Sequence, residues 1–269
     1  MTTATNNGLD TQKVDVSGLE TAFRRGGSGQ PLLYLTGQGY TGRWLPLYES
    51  LAQGFDVIVP DHPGFGGTGL PDFINDFNDL AVHYAEFLDV IGTGPVHVVG
   101  HGFGGWLAAE FAGVYPERVL SLTLIAPSGL RPDESEPMVD WYRMRPDQVL
   151  DLTLGEDRDE WAEFVAPDPD YATATVADYQ ERMGVARVAW NPRYSFRLEH
   201  RLQRVKAPAQ IIVPDQDDLI APSIARRYTE FLPGASLSKV SGDDAPTRHL
   251  LVVQEPGKIA ELIVKLAGV

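Results

Sequence analysis

Residues 96–109 read VHVVGHGFGGWLAA: an apolar run, a glycine-rich turn, then a run suited to a helix. With glycines at Gly100 and Gly104, this is the layout G-x-S-x-G, in which a nucleophilic serine stands on a strained strand-to-helix turn. The serine's place is held by Gly102, which has no side chain and cannot attack a carbonyl. A non-glycine residue bears roughly 1–3 kcal/mol of strain at such a turn, whereas glycine enters the same backbone region freely. Gly102 is therefore expected to keep the turn, relieve its strain and leave a small space where a nucleophile would stand.

Such a turn needs a sheet to hold it, and the flanking pattern supplies one. Residues 1–12 read as a frayed tail, and 13–25 alternate apolar and polar around Ser17-Gly18, as an antiparallel hairpin would. Short apolar runs at 31–35, 56–60, 96–100, 120–127 and 207–215 read as strands, with another near 236–240. Between them, helices are expected at about 43–53, 77–91, 106–115, 222–232 and 256–267. Strands alternating with helices imply a mostly parallel sheet in an α/β fold. The alternation stops near Ser128. Residues 131–200 carry sixteen acidic residues, eight Arg and no Lys, with Trp141, Trp161 and Trp190 among them. Their heptad-like stretches read as amphipathic helices, so the segment is an insert expected to fold over the edge of the sheet. Its aromatics can equally form a small core of their own.

Composition narrows the function classes. In 269 residues, 43% apolar, there is enough material for one large α/β core with an insert. The net charge of −15 disfavours nucleic acid and anionic membranes, both of which need a basic surface. The absence of cysteine removes disulfides, thiol catalysis and cysteine-held metals. The first residues lack the basic and apolar regions of a secretion signal, and there is no apolar run long enough to span a bilayer. A soluble, cytoplasmic protein acting on a small molecule is expected, with no oligomeric state read. His62, His83, His97 and His200 show no ligand spacing, so neither metal nor cofactor is expected.

Gly37-Gln-Gly39-Tyr-Thr-Gly42, with Asp61 following 24 residues on, fits the G-x-G-x-x-G pattern of dinucleotide binding. Two features count against an oxidoreductase. A hairpin precedes the strand that would open the sheet, and Asp61 leads into HPGFGGTG, a tight glycine loop rather than a ribose-binding turn.

Five segments in order resemble the α/β-hydrolase superfamily: residues 18–37, DHPGFGGTG at 61–69, GHGFGG at 100–105, VPDQDDLIAP at 213–222, and the stretch from His249 to Pro256. The resemblance covers residues 14–128 and 205–268 and implies an eight-stranded, mostly parallel sheet flanked by helices. It divides the chain into a core of 1–128 and 205–269 and a helical cap of 129–204. It implies Asp217 as the acid and His249 as the base, with the acid fixing the imidazole tautomer and the base taking a proton from a nucleophile or from water. A different loop register would make Asp215 or Asp218 the acid. The resemblance also implies an oxyanion hole built from the backbone N–H groups of Gln38 and Phe103. The chain departs from the family at Thr36, where a histidine usually precedes the glycine. The Gln38 amide is either an added donor or a surface group. Trp44, Phe65, Phe103 and Trp106 of the core, and Trp141, Trp161 and Trp190 of the insert, are candidate pocket residues, with core packing the other reading of each. His101 is read as a packed histidine.

With Gly102 in the nucleophile's place, four uses of the scaffold stay open. His249 and Asp217 activate water for direct hydrolysis of a small apolar or aromatic ester or carbonyl compound. The same base serves lyase or cofactor-free chemistry. The chain is a variant of a parent with Ser or Asp at 102. Or it binds a small ligand without turnover, against which the surviving acid and base weigh.

Overall fold

The computed structural model describes residues 9–155, 161, 164, 171–190 and 192–269. Most of the expected tail lies outside the described residues. The first strand, β1 (Gln12–Val16), turns through Ser17-Gly18 into β2 (Leu19–Gly27), and the two pair antiparallel, Val14 opposite Thr21. Then come β3 (Gln30–Leu35), β4 (Phe55–Pro60), β5 (Val96–His101), β6 (Val119–Ile125), β7 (Ala209–Val213) and β8 (Ser236–Lys239). They form one eight-stranded sheet in the order β1-β2-β4-β3-β5-β6-β7-β8. From β4 through β8 every pairing is parallel.

Helices cover both faces, which is why the inner strands read as unbroken apolar runs. In β3 the alternation is direct. Leu33 and Leu35 pack into the layer that holds Leu80, Tyr84, Leu107 and Phe111 of α2 (Phe77–Val90) and α3 (Phe103–Val114). Leu32 and Tyr34 face the opposite layer with Leu47 and Leu51 of α1 (Pro46–Leu51). The starts of these helices are written locally. Pro46 opens α1, where a missing N–H costs nothing. Asp76 caps α2 by accepting from the N–H groups of Asn78 and Asp79.

The segment between β6 and β7 carries α4 (Pro146–Leu154), α5 (Tyr171–Ala189) and α6 (Leu198–Leu202). Its two ends meet: Gly129 bridges Tyr194, and the Ser195 N–H donates to the Gly129 carbonyl at 2.8 Å. Gly129 has φ +105°, and a Cβ there would stand 2.3 Å from the Trp106 ring, so only glycine fits where the chain departs. After β7 come α7 (Pro222–Phe231), the short α8 (Leu251–Gln254) and α9 (Pro256–Ala267). Ile259 and Ile263 of α9 complete the layer beside α1. Among the described residues no helix is long and apolar enough to cross a membrane.

Candidate active site

The turn after β5 is built by close approach. A Cβ at Gly104 would lie 2.1 Å from the Leu35 carbonyl oxygen, and one at Gly100 would lie 2.3 Å from the Gly104 oxygen. Both glycines are therefore demanded by backbone contact rather than by flexibility. Between them Gly102 adopts φ 56°, ψ −116°, the strained corner of the elbow. Its N–H donates to the Ile125 carbonyl at 2.9 Å, and its own carbonyl accepts from the N–H groups of Trp106 and Ser128 at 3.2 and 3.1 Å. The corner is thus tied to β6, to its own helix and to the start of the insert.

His249 faces this corner. A Cβ built on Gly102 would stand 3.2 Å from His249 Nε2. On the far side of the ring, Nδ1 lies 2.9 Å from Asp217 Oδ2. A carboxylate oxygen accepts, so Nδ1 carries the proton and Nε2 presents its lone pair toward Gly102. Asp217 is itself held in place: Oδ1 accepts from the N–H groups of Leu219 and Ile220 at 3.0 and 2.8 Å. Both side chains are nearly buried, about a tenth exposed or less.

The neighbouring acids are engaged elsewhere. Asp215 accepts from Ser241 Oγ and the Thr247 N–H and sits 3.1 Å from Lys239. Slight burial pushes its carboxyl up, but the hydrogen bonds from Ser241, Lys239, Thr247 and Gly242 outweigh that and hold it down at about 2. Asp218 pairs with Arg248 at 2.5 Å. Of the three candidate acids, Asp217 is the one brought to His249.

His101 lies beneath His249, ring centroids 4.9 Å apart. Its Nε2 is 2.9 Å from the His249 carbonyl, which can only accept, so Nε2 bears the proton. Nδ1 then accepts from the Tyr40 hydroxyl at 2.6 Å, while Tyr40 Oη accepts from the Gly37 N–H at 2.7 Å. Burial first, then the neighbouring His249, pushes His101 down to about 3, so it stays neutral. His62 plays a similar part nearby. Its Nε2 donates to the Thr36 carbonyl at 3.0 Å, and burial lowers it to about 4. Two neutral histidines thus hold the loop 36–40, which carries Gln38, and the backbone of His249. Sequence reasoning read His101 as packing and singled out neither Tyr40 nor this relay.

Phe103 opens α3, so its N–H is one of those at a helix start with no partner within the helix. Gln38 and Phe103 both line a cavity of about 440 Å³ together with Gly102 and His249. The cavity is largely apolar. Its described lining includes Phe103 and Trp106 from the core, Leu219 and Ile220 from the acid loop, and Trp141, Tyr142 and Val185 from the insert. Of the tryptophans expected there, Trp141 and Trp106 line it. Trp44 instead packs edge-on against Tyr48 and donates to Glu49. Trp161 joins the layer on the α1 side of the sheet, and Trp190, past the end of α5, is 61% exposed beside Tyr142. Phe65 stacks behind Phe103 in the core. A further residue, Glu181 of α5, reaches the cavity and accepts from the Gly39 N–H at 2.8 Å. Its signal in the sequence is placement: Glu181 shares the buried face of α5 with Gly184, Val185 and Ala189.

Asp61 closes its own glycine loop, accepting from the Gly67 N–H at 2.8 Å with Arg24 at 3.6 Å. It is buried, and its carboxylate is engaged by the Gly67 N–H and Arg24. Among the described residues, no group of three His, Asp or Glu side chains gathers as a metal site would.

Comparison with known proteins gives a consistent picture. The chain is 28% identical to a poly(3-hydroxyalkanoate) depolymerase from Ectopseudomonas oleovorans over 274 residues, 95% of this chain and 90% of that one. It is 29% identical to a 2-hydroxy-6-oxononadienedioate/2-hydroxy-6-oxononatrienedioate hydrolase from Burkholderia vietnamiensis, over 77% of this chain and 76% of that one. With the dihydrolipoyllysine-residue acetyltransferase component of an acetoin cleaving system from Cupriavidus necator it shares 35% identity over 120 residues, and spans only 32% of that protein's length. The enol-lactonase from Burkholderia xenovorans LB400 superposes with a TM-score of 0.77 at 18% identity, covering 96% of this chain and 100% of that one, a likeness of fold. The family model described as alpha/beta hydrolase fold matches residues 30–254, and the chain belongs to that family.

Proposed function

We propose that the chain is a hydrolase in which the His249–Asp217 pair activates a water molecule beside Gly102 against a small apolar or aromatic ester or related carbonyl compound. The observation that carries this reading is the Nε2 lone pair of His249, aimed at an elbow that has no side chain and opening on an apolar cavity. In this account Nε2 takes a proton from the water as its oxygen attacks the carbonyl carbon. Asp217, already bonded at Nδ1, steadies the imidazolium that forms. The N–H groups of Phe103 and Gln38 receive the developing oxyanion. The imidazolium then returns the proton to the leaving oxygen. The segment 129–204 serves as a cap, its Trp141 and Tyr142 selecting apolar or aromatic groups. The hydrolases among the relatives support the reaction class.

A second reading has its own observation. The space at Gly102 accepts a Cβ if the His249 ring yields by a few tenths of an ångström, so the scaffold is also suited to a serine nucleophile. Hydrolysis of p-nitrophenyl acetate and butyrate by the chain, by His249→Ala and by Gly102→Ser separates the two. The proposal expects slow, His249-dependent turnover by the chain itself. Turnover by Gly102→Ser alone assigns the site to a serine hydrolase lacking its nucleophile, and turnover indifferent to His249→Ala rejects both readings.

A further inference from the structure

The loop that carries Gln38 is gripped at both of its glycines. On one side the Gly37 N–H donates to Tyr40, a residue of the same loop. On the other the Gly39 N–H donates to Oε2 of Glu181, which arrives from the insert 142 residues further along the chain. Glu181 is only 9% exposed. The titratable and charged groups around it come from several elements. Asp178 and Arg182 share its helix, Asp61 and Arg24 come from the core, and Arg43, His101 and His249 line the same cavity. Arg182 is committed to Asp178 at 2.8 Å and to the carbonyls of Trp141 and Met144 at 3.1 and 2.9 Å.

Building on the reading of Gln38 N–H as an oxyanion donor, we propose that Glu181 is a positioning residue: its bond to Gly39 sets where the Gln38 N–H stands and couples that donor to the seating of the insert. His62 and Tyr40 hold the loop on the Thr36–Gly37 side, while Gly39 sits at φ +89° with nothing within 4 Å of where a Cβ would be, so on its side the Glu181 bond sets the backbone. Burial pushes the Glu181 carboxyl up. The Gly39 N–H and the nearby Thr41 hydroxyl oppose that, Asp178 and Asp61 add to it, and the group titrates at about 7. Ionised, it makes a charge-assisted bond to Gly39; protonated, it is a weaker, neutral acceptor. The grip on the loop therefore tightens as pH rises through neutrality.

The test follows the Gly39 and Gln38 amide resonances of ¹⁵N-labelled protein from pH 5 to 9. Both are expected to shift together with a midpoint near 7, to do so equally in His249→Ala, and to stop doing so in Glu181→Gln. A Gly39 amide that stays still across this range in the unaltered protein overturns the proposal, as does a titration that survives Glu181→Gln. Should Glu181→Gln fail to fold, the unaltered protein and His249→Ala decide alone, because a titration lost in His249→Ala belongs to His249 and overturns the assignment. In Gly102→Ser protein hydrolysing p-nitrophenyl butyrate at pH 8, Glu181→Gln is expected to lower kcat about tenfold with KM nearly unchanged, as a displaced oxyanion donor would. A raised KM at constant kcat overturns the positioning role. Failure of the water-activation reading shows instead as turnover independent of His249, which leaves the Gly39 titration in place.

Discussion

The floor of the pocket and its roof are held by different means. The floor is the elbow of β5 and α3, where Gly100 and Gly104 meet neighbouring backbone with no room for a methyl group and three backbone hydrogen bonds pin Gly102. The roof is α5 with the chain around Trp141, joined to the floor's loop through the polar contact of Glu181 with Gly39. Val176, Tyr179 and Met183 on the outer side of α5 are about half exposed or more. Floor geometry is fixed by exclusion and roof geometry by a few adjustable bonds. Substitutions in the floor should therefore break folding or chemistry, and those in the roof should tune selectivity.

The largest effect is expected from Gly104→Ala, whose Cβ would meet the Leu35 and Thr36 carbonyl oxygens at 2.1 and 2.3 Å. A clash with backbone on two sides cannot be relieved by a rotamer change, so a loss beyond about 4 kcal/mol is expected. Denaturant unfolding checks it, and a stable Gly104→Ala would contradict the close-packed floor. Next comes Asp217→Asn, which is expected to leave the fold intact and lower any His249-dependent turnover by about 10³–10⁴-fold, because the imidazole loses its fixed tautomer. Gly102→Ser should lower stability by roughly 1–3 kcal/mol through strain at positive φ, read as a lower Tm, while raising ester hydrolysis.

Acid should weaken the fold through its buried histidines. His62 and His83 titrate at about 4 and His101 at about 3, each lowered chiefly by burial from an ordinary value near 6.5. Below about 6.5 the unfolded chain binds these protons and the folded one does not, so stability falls as pH drops from 6.5 toward 4. Each histidine contributes up to about 1.4 kcal/mol per pH unit in that window. Glu181 runs the other way. Its raised value gives stability that is present below about 4.5 and lost as pH rises through about 7. Thermal melts from pH 4 to 8 should show the acid-side fall diminished in His83→Gln. The smallest effect is expected at Trp190: with 61% of its surface exposed, Trp190→Ala should change stability by about 0.5 kcal/mol or less. Trp141→Ala, on the pocket side, should raise KM for aromatic esters.

The same division decided what could be read in advance. The central strands were legible because burial on both faces demands continuous apolar runs, and the elbow was legible because close approach demands glycine at fixed spacing. Boundaries blurred where one requirement served two elements. The helix after the elbow starts at Phe103 rather than Trp106 because its first residues are the turn's own glycines. No element was expected over Leu251–Gln254, where a short apolar stretch before Pro256 makes a single helical turn. In the insert, composition announced aromatics but not their direction. Trp141 turned inward, Trp190 turned out and Trp161 joined another layer. Glu181 was hidden among sixteen acidic residues, since its role depends on a helix face and on a loop far away in the chain.

The most direct test of the central claim is pre-steady-state hydrolysis of p-nitrophenyl butyrate with intact-mass analysis of the quenched protein. Water activation by His249–Asp217 at an empty elbow predicts linear release of p-nitrophenol from the first turnover, no acyl adduct on the chain, and loss of that turnover in His249→Ala. A burst matched by an acyl adduct, or a rate that survives His249→Ala, would contradict it.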